Sequence, residues 1–179
     1  MAYVSELEAS LRPPAREMPL YPPKVITLAS GEKMVVRQVE RDEVPTDLKA
    51  VRLASEKAFA AAGIPPSDVD VAELHDAFTI LEIAESEAAG FFGKGEGARA
   101  LKEGVTSLSG SLSINPSGGL KAKGHPVGAT GVAQLVKLVW QLSGEADARQ
   151  VKGAKVGFAC NFGGFGNNVV TSVLRREDR

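Results

Sequence analysis

Residues 115–131 read NPSGGLKAKGHPVGATG, from Asn115 to Gly131. Gly118-Gly119 permits a turn that needs positive φ or a close backbone approach. Gly124-His125-Pro126 sets an imidazole just before a helix start, and Gly128 and Gly131 let that helix pack tightly on another backbone. A helix N-terminus presents unpaired N–H groups and a positive potential. That potential favours the neutral imidazole, so His125 is a candidate base acting on a thiol or hydroxyl. Two other readings stay open: a glycine-rich loop that cradles phosphate, or a plain helix–strand connection. The stretch lacks the Lys-Ser/Thr ending of a P-loop, which counts against nucleotide phosphate.

Outward from this stretch the periodicity predicts a helix over Ala129–Ser143, with Val132, Leu135, Val136, Val139 and Leu142 on one apolar stripe. Leu112–Ile114 reads as a short strand entering the glycines, and Glu96–Gly104 as a helix weakened by Gly97. Lys155–Cys160 and Asn168–Leu174 read as buried strands separated by Gly163-Gly164-Phe165-Gly166. Upstream, Thr46–Ala62 has helical spacing, with Thr46-Asp47 as its cap and Gly63 as its stop. Val69–Leu74 is a strand running into His75-Asp76, followed by a helix from about Ala77 to Ala89 that carries Phe78, Ile80, Leu81 and Ile83. The mixed order argues for layered α/β packing. Residues 1–45 differ: Pro13, Pro14, Pro19, Pro22, Pro23 and Pro45 discourage long regular structure. Lys24–Ala29 and Lys33–Val39 there suit a hairpin around Ser30-Gly31-Glu32. The reading is an extended arm or loop-subdomain remnant over 1–45 and a domain over 46–179.

The chain has two histidines and one cysteine, and all three fall at ends of expected elements, where catalytic side chains are most often displayed. His75 ends a strand and could donate a hydrogen bond to a carbonyl oxygen as part of an oxyanion hole; the alternative is that it orients the next helix. Asp76 suits the capping of that helix. Cys160 precedes a glycine turn whose N–H groups could meet an oxyanion, and its thiol is either a proton-exchanging group or an inert buried one. No metal site is expected, because two distant histidines without paired cysteines are poor evidence for one.

Composition narrows the class. A net charge of -1, from 21 basic and 22 acidic residues, gives no electrostatic reason to expect nucleic acid. No apolar run approaches the roughly 20 residues of a membrane span, and MAYVSELEAS lacks the apolar core of a signal peptide. With a single cysteine no internal disulfide can form, and the cytoplasm is the expected compartment.

At three elements the sequence resembles the C-terminal half of the thiolase family. NPSGGLKAKGHPVGATG resembles the thiolase Asn-x-x-Gly-Gly…Gly-His-Pro-x-Gly-x-x-Gly signature, and His75-Asp76-Ala77-Phe78 resembles the His-Asp-Cys-Phe motif of sterol-carrier-protein-type and archaeal thiolases. Trp140–Val156 is similar to the same branch, and the resemblance runs over about Thr46–Leu174. It implies an α/β fold, a thiolase-like C-terminal domain with a mixed five-stranded sheet covered by helices. It also implies that His125 activates a nucleophilic cysteine, that His75 helps bind the thioester oxygen, and that Cys160 or its neighbourhood holds the acid/base position. A one-residue shift in alignment would put Asn161 there instead. Asn115, Gly118, Gly119, Gly124, Gly163 and Gly164 would form the oxyanion and glycine loops, and Ser117 and Lys123 are guesses for coenzyme A contacts.

Two departures from the family shape the functional expectation. The family nucleophile lies in the N-terminal half, which is absent, and Ala77 stands where the branch has its cysteine. The first expectation is therefore an acyltransferase part, acting on 3-ketoacyl-CoA and acetyl-CoA by Claisen condensation or thiolytic cleavage. It would be inactive alone, with coenzyme A as substrate and no cofactor. Its nucleophile would come from another chain or a missing half, in a homo- or hetero-oligomer docked through an exposed apolar face. The alternatives are a catalytically degenerate scaffold, and a chain working alone with Cys160 as nucleophile.

Overall fold

The computed structural model describes residues 24–27, 33–36, 48–164 and 166–177. The chain divides into two units, residues 1–43 and 44–179. In the first, β1 (Lys24–Thr27) and β2 (Lys33–Val36) pair antiparallel in register Lys24 to Val36, as the hairpin reading expects. The turn between them lies outside the described residues.

The second unit starts with α1 (Lys49–Ala62), which buries Val51, Ser55 and Phe59 at four-residue spacing. Its cap position is Leu48, with φ 46° and no side-chain capping bond; Thr46 and Asp47 lie outside the described residues. Gly63 stops the helix as expected, in the left-handed region at φ 63°. Next come β3 (Val71–Glu73), α2 (Thr79–Ala88), α3 (Gly97–Lys102), β4 (Ser113–Ile114), α4 (Gly119–Lys123) and α5 (Thr130–Ser143). The unit ends in β5 (Val156–Gly163) and β6 (Asn168–Arg175). The short α4 inside the glycine-rich stretch has no counterpart in the sequence reading, because its few residues show no period.

The sheet order is β4-β3-β5-β6, with β3 parallel to β4 and β5, and β6 antiparallel to β5. This corrects the expected five strands to four among the described residues. The two extra strands upstream pair with each other in a separate sheet and add nothing to this one.

Strand alternation divides the core in two. Ala72 of β3, Leu74 just past its end, and Val156, Phe158 and Cys160 of β5 join α1 residues Val51 and Phe59 on one face. Phe59 stacks on Phe158 at 5.1 Å, and Phe91 meets Phe158 edge-on at 5.2 Å. Such aromatic pairs add about 0.5–1.5 kcal/mol beyond the area they bury. Val71 of β3 and Ala159 of β5 point to the other face, where Leu138 and Leu142 of α5 cover them. The result is a helix–sheet–helix sandwich.

The face of α5 that meets the sheet shares only Leu142 with the expected apolar stripe. Its buried residues are Thr130, Gln134, Leu138, Gln141 and Leu142, while Val132 is 65% and Val139 48% exposed. Hydrogen bonding sets this orientation. Gln134 Nε2 donates to Cys160 O at 2.9 Å and Glu73 O at 3.3 Å, and Gln141 accepts the Val151 N–H at 2.7 Å. Of the residues that a periodicity argument assigns to the core, Leu142 is buried, while Val132, Leu135, Val136 and Val139 face outward. Replacing Gln134 with Leu removes the side-chain donor from two buried carbonyls, and urea denaturation should show a loss of about 2 kcal/mol.

Candidate active site

The site forms where β3 ends. Past Glu73 the chain leaves the ladder, and its next N–H groups need partners. Leu74 N–H donates to Asn115 Oδ1 at 2.8 Å, and His75 N–H donates to Glu85 Oε2 at 2.9 Å. Asn115 sits at φ 50°, donates its Nδ2 to Glu82 Oε2 at 2.8 Å, and gives its own N–H to Ala72 O. The Asp76 carboxylate accepts the Leu120 N–H at 2.6 Å. Asp76 therefore caps α4 rather than the helix that follows it, which starts at Thr79. Gly119 is required beside it, for φ is 61° there and an added Cβ would strike the Asp76 carboxylate.

These bonds bring the two histidines together. The rings of His75 and His125 meet edge to face, with centroids 4.8 Å apart and planes at 89°. His75 is buried, 4% exposed, and packs on Phe162 at 4.7 Å, while His125 is exposed. His75 Nδ1 bonds Asn161 Oδ1 at 2.7 Å. His125 Nδ1 lies 2.7 Å from Thr130 Oγ1, whose hydroxyl in turn reaches Pro126 O at 3.2 Å. With the Thr130 proton on Pro126 O, Oγ1 accepts from His125 Nδ1–H and leaves Nε2 with the lone pair of a base. Burial holds the His75 imidazole below the ordinary histidine value; the Asn161 bond opposes this and the neighbouring His125 adds to it.

Cys160 does not join them. The alternation of β5 turns Asn161 toward His75 and Cys160 into the apolar core beneath α1, where it is 0% exposed. Burial and the adjoining Glu85 carboxyl push its thiol well above the usual cysteine range. A residue so placed has neither the thiolate nor the access that exchange with substrate needs. Assigning acid/base or nucleophilic work to Cys160 therefore fails on geometry, and Asn161 occupies the position beside the histidines. Gly131 makes room for it, since a Cβ there would stand 3.0 Å from Asn161 Nδ2.

The remaining expected residues divide by role. Gly118, Gly119 and Gly124 all have positive φ and shape the turns at either end of α4. Both polar ends of the Asn115 side chain bond the scaffold, at Leu74 N–H and Glu82. Gly163 ends β5 opposite Asn168, and Gly164, at φ 63°, opens the β5–β6 turn. Ser117 and Lys123 bond each other at 2.7 Å and the buried Glu73 carboxylate at 2.7 and 3.2 Å. Sequence reasoning missed Glu82, Glu85, Thr130 and Gln134. A helix carrying Glu82 and Glu85 among apolar residues looks like a solvated face, and only the fold shows Glu85 at 0% exposure.

A mixed sheet between helices, with one histidine at the exit of an inner strand and another on a glycine turn ahead of a helix, is the architecture of a thiolase-type domain. Residues 31–176 match the family described as Thiolase C-terminal domain-like, and the chain belongs to that family. The match reaches into the segment that the sequence reading treats as an arm. The acetyl-CoA acetyltransferase of Methanothermobacter thermautotrophicus is 47% identical over 131 residues, 73% of this chain and 34% of that protein. Sterol carrier protein 2 of Rattus norvegicus is 46% identical over 140 residues, 78% of this chain and 24% of that protein. The chain thus spans about a third or less of the length of these relatives. A solved chain of the Ltp2-ChsH2(DUF35) aldolase shares the fold, with a TM-score of 0.62 over 70% of this chain and 31% of that one, at 24% identity. Among the described residues no helix is long and apolar enough to cross a membrane.

Two measurements probe this geometry. Iodoacetamide should label Cys160 on the order of 100-fold more slowly in the native chain than in urea, since the thiol must await an opening event. Asn161→Leu removes the bond that raises the His75 pKa, so NMR titration should find it lower still. The sign for stability follows: the unfolded chain protonates His75 more readily, so stability falls as pH drops through the ordinary histidine value of 6.5.

Proposed function

We propose that this chain supplies the histidine half of a thiolase-type acyltransferase site, completed by a cysteine-bearing thiolase N-terminal half on another chain or segment. The substrates would be 3-ketoacyl-CoA and acetyl-CoA, joined by Claisen condensation or split by thiolysis. The observation that carries this reading is the pair His75 and His125, brought ring to ring from separate elements while the thiol of this chain is turned away from them. A site with a base and no nucleophile has its use only beside a second half.

In thiolysis the incoming cysteine gives its proton to His125 Nε2 and attacks the substrate's keto carbon. His75 holds the developing oxyanion, and the carbon–carbon bond then breaks to leave an acyl-cysteine. The acetyl-CoA carbanion that departs takes a proton, and the thiol of a second coenzyme A carries the acyl group away. With Asn161 Oδ1 on Nδ1, a neutral His75 carries an acceptor at Nε2; it donates to the oxyanion from Nε2 once Asn161 turns its amide N–H toward Nδ1. Coenzyme A enters as substrate, and these steps call on no other cofactor. Asn161 cannot exchange the carbanion's proton, so that task falls to a group of the second half or to water.

The outward stripe of α5 supports docking. Val132 and Leu135, with Val170 of β6, line a groove of about 260 Å³ that runs between α5 and β5–β6 to Asn161. Within it Gln134 Oε1 has no donor among the described residues. An exposed apolar strip leading to an incomplete site suits a partner that finishes the site.

A non-catalytic thiolase half that stabilises another assembly is the second reading, favoured by Ala77 and by the inward thiol of Cys160. Co-purification with cysteine-bearing thiolase halves, followed by assay of acetoacetyl-CoA cleavage by coenzyme A, separates the two. The enzymatic reading expects activity in the complex and a loss of about 10²–10⁴-fold in His125→Ala. A stable complex whose activity ignores His125→Ala selects the scaffold, and no activity in any complex counts against the enzyme.

A further inference from the structure

The fully buried carboxyl of Glu85 is used by none of these steps. It is 0% exposed, and burying a carboxyl is costly unless it is hydrogen-bonded or held neutral. Every titratable group around it is itself an acid or the histidine it supports: Asp76 from the exit of β3, Glu82 one turn back on α2, Cys160 from β5, and His75. Burial, reinforced by Asp76 and Glu82, pushes Glu85 up to about 8, so the acid is protonated at neutral pH. Its Oε2 accepts the His75 N–H at 2.9 Å, while Oε1 makes no well-directed hydrogen bond and the Cys160 thiol is the polar group beside it.

Glu82 completes the pattern. Glu82 and Glu85 lie three residues apart on α2, hence on one helix face. Glu82 holds Asn115, which holds the Leu74 N–H, and Glu85 holds the next N–H directly. Two consecutive peptides leaving β3 are thus anchored to one helix, and the second carries the imidazole.

We infer that Glu85 is a positioning residue for His75: its carboxyl, enclosed under the end of β3, fixes the His75 peptide and with it the angle of the imidazole to Asn161 and His125. Ionising Glu85 strengthens its bond to the His75 N–H but sets a carboxylate against Asp76 and Glu82, so the surroundings of the His75 peptide change at alkaline pH. The bearing of this on catalysis rests on the role proposed for His75, whereas the geometry does not, so the two can fail separately.

The test uses the full isotope-labelled chain, whose two histidines make their signals separable by NMR. In a pH titration the His75 amide should show a step with a midpoint near 8. Glu85→Gln, which keeps a carbonyl for the His75 N–H and removes the titration, should abolish the step and retain the ring-current shifts between the histidines. Glu85→Ala should lose those shifts and raise His75 amide exchange about tenfold or more over Glu85→Gln. A step that persists in Glu85→Gln overturns the inference, as does a Glu85→Ala chain with wild-type exchange and ring shifts. Should Glu85→Ala not fold, the presence or absence of the step in Glu85→Gln decides alone.

Discussion

Where β3 runs out of ladder partners, three consecutive residues are held by three different segments. Asn115 takes the Leu74 N–H, Glu85 takes the His75 N–H, and the Asp76 carboxylate takes the Leu120 N–H. A buried backbone donor left without a partner costs about as much as a lost hydrogen bond, so a strand that ends inside a protein must find acceptors nearby. Meeting that need places α2, the Asn115 turn and the start of α4 against one short stretch of chain. The position of His75 follows from it. So does the path of the chain toward His125, because α4 is pinned at Leu120 just before Gly124 releases it.

The second constraint is the alternation of β5. Successive side chains leave opposite faces of the sheet, so Cys160 and Asn161 cannot share an environment. Phe158 and Cys160 face the aromatic core under α1, and Asn161 faces the histidines. A one-residue change of register would exchange the two, but the packing of Phe158 between Phe59 and Phe91 opposes it, since the same slip would remove Phe158 from the core. An apolar contact on one side of the sheet thereby selects which polar group reaches the site on the other.

The helix α5 shows the same trade on a larger scale. Its buried face is tied to strand carbonyls by Gln134 and closed by Thr130 and Gln141, leaving valines and Leu135 outward. The chain spans 34% of the length of a relative in its family, and this outward apolar strip is the surface on which the proposal of a completing half rests.

Much was legible before any fold was available. The glycines of Asn115–Gly131, the stop at Gly63 and the strands around Cys160 follow from local rules of backbone conformation and period, and the signature around His125 is long enough to mark its family. What sequence could not reveal are facts of direction and burial. The choice between Cys160 and Asn161 is one of strand register, and the outward stripe of α5 depends on hydrogen bonds between residues far apart in the chain. Asp76 capping α4 instead of α2, and Glu85 lying beneath His75, are of the same kind. Local composition determined which elements form and which residues can do chemistry, because those depend on nearest neighbours along the chain. The sheet decided which of them meet, because a strand's two faces acquire their identities only when other elements cover them.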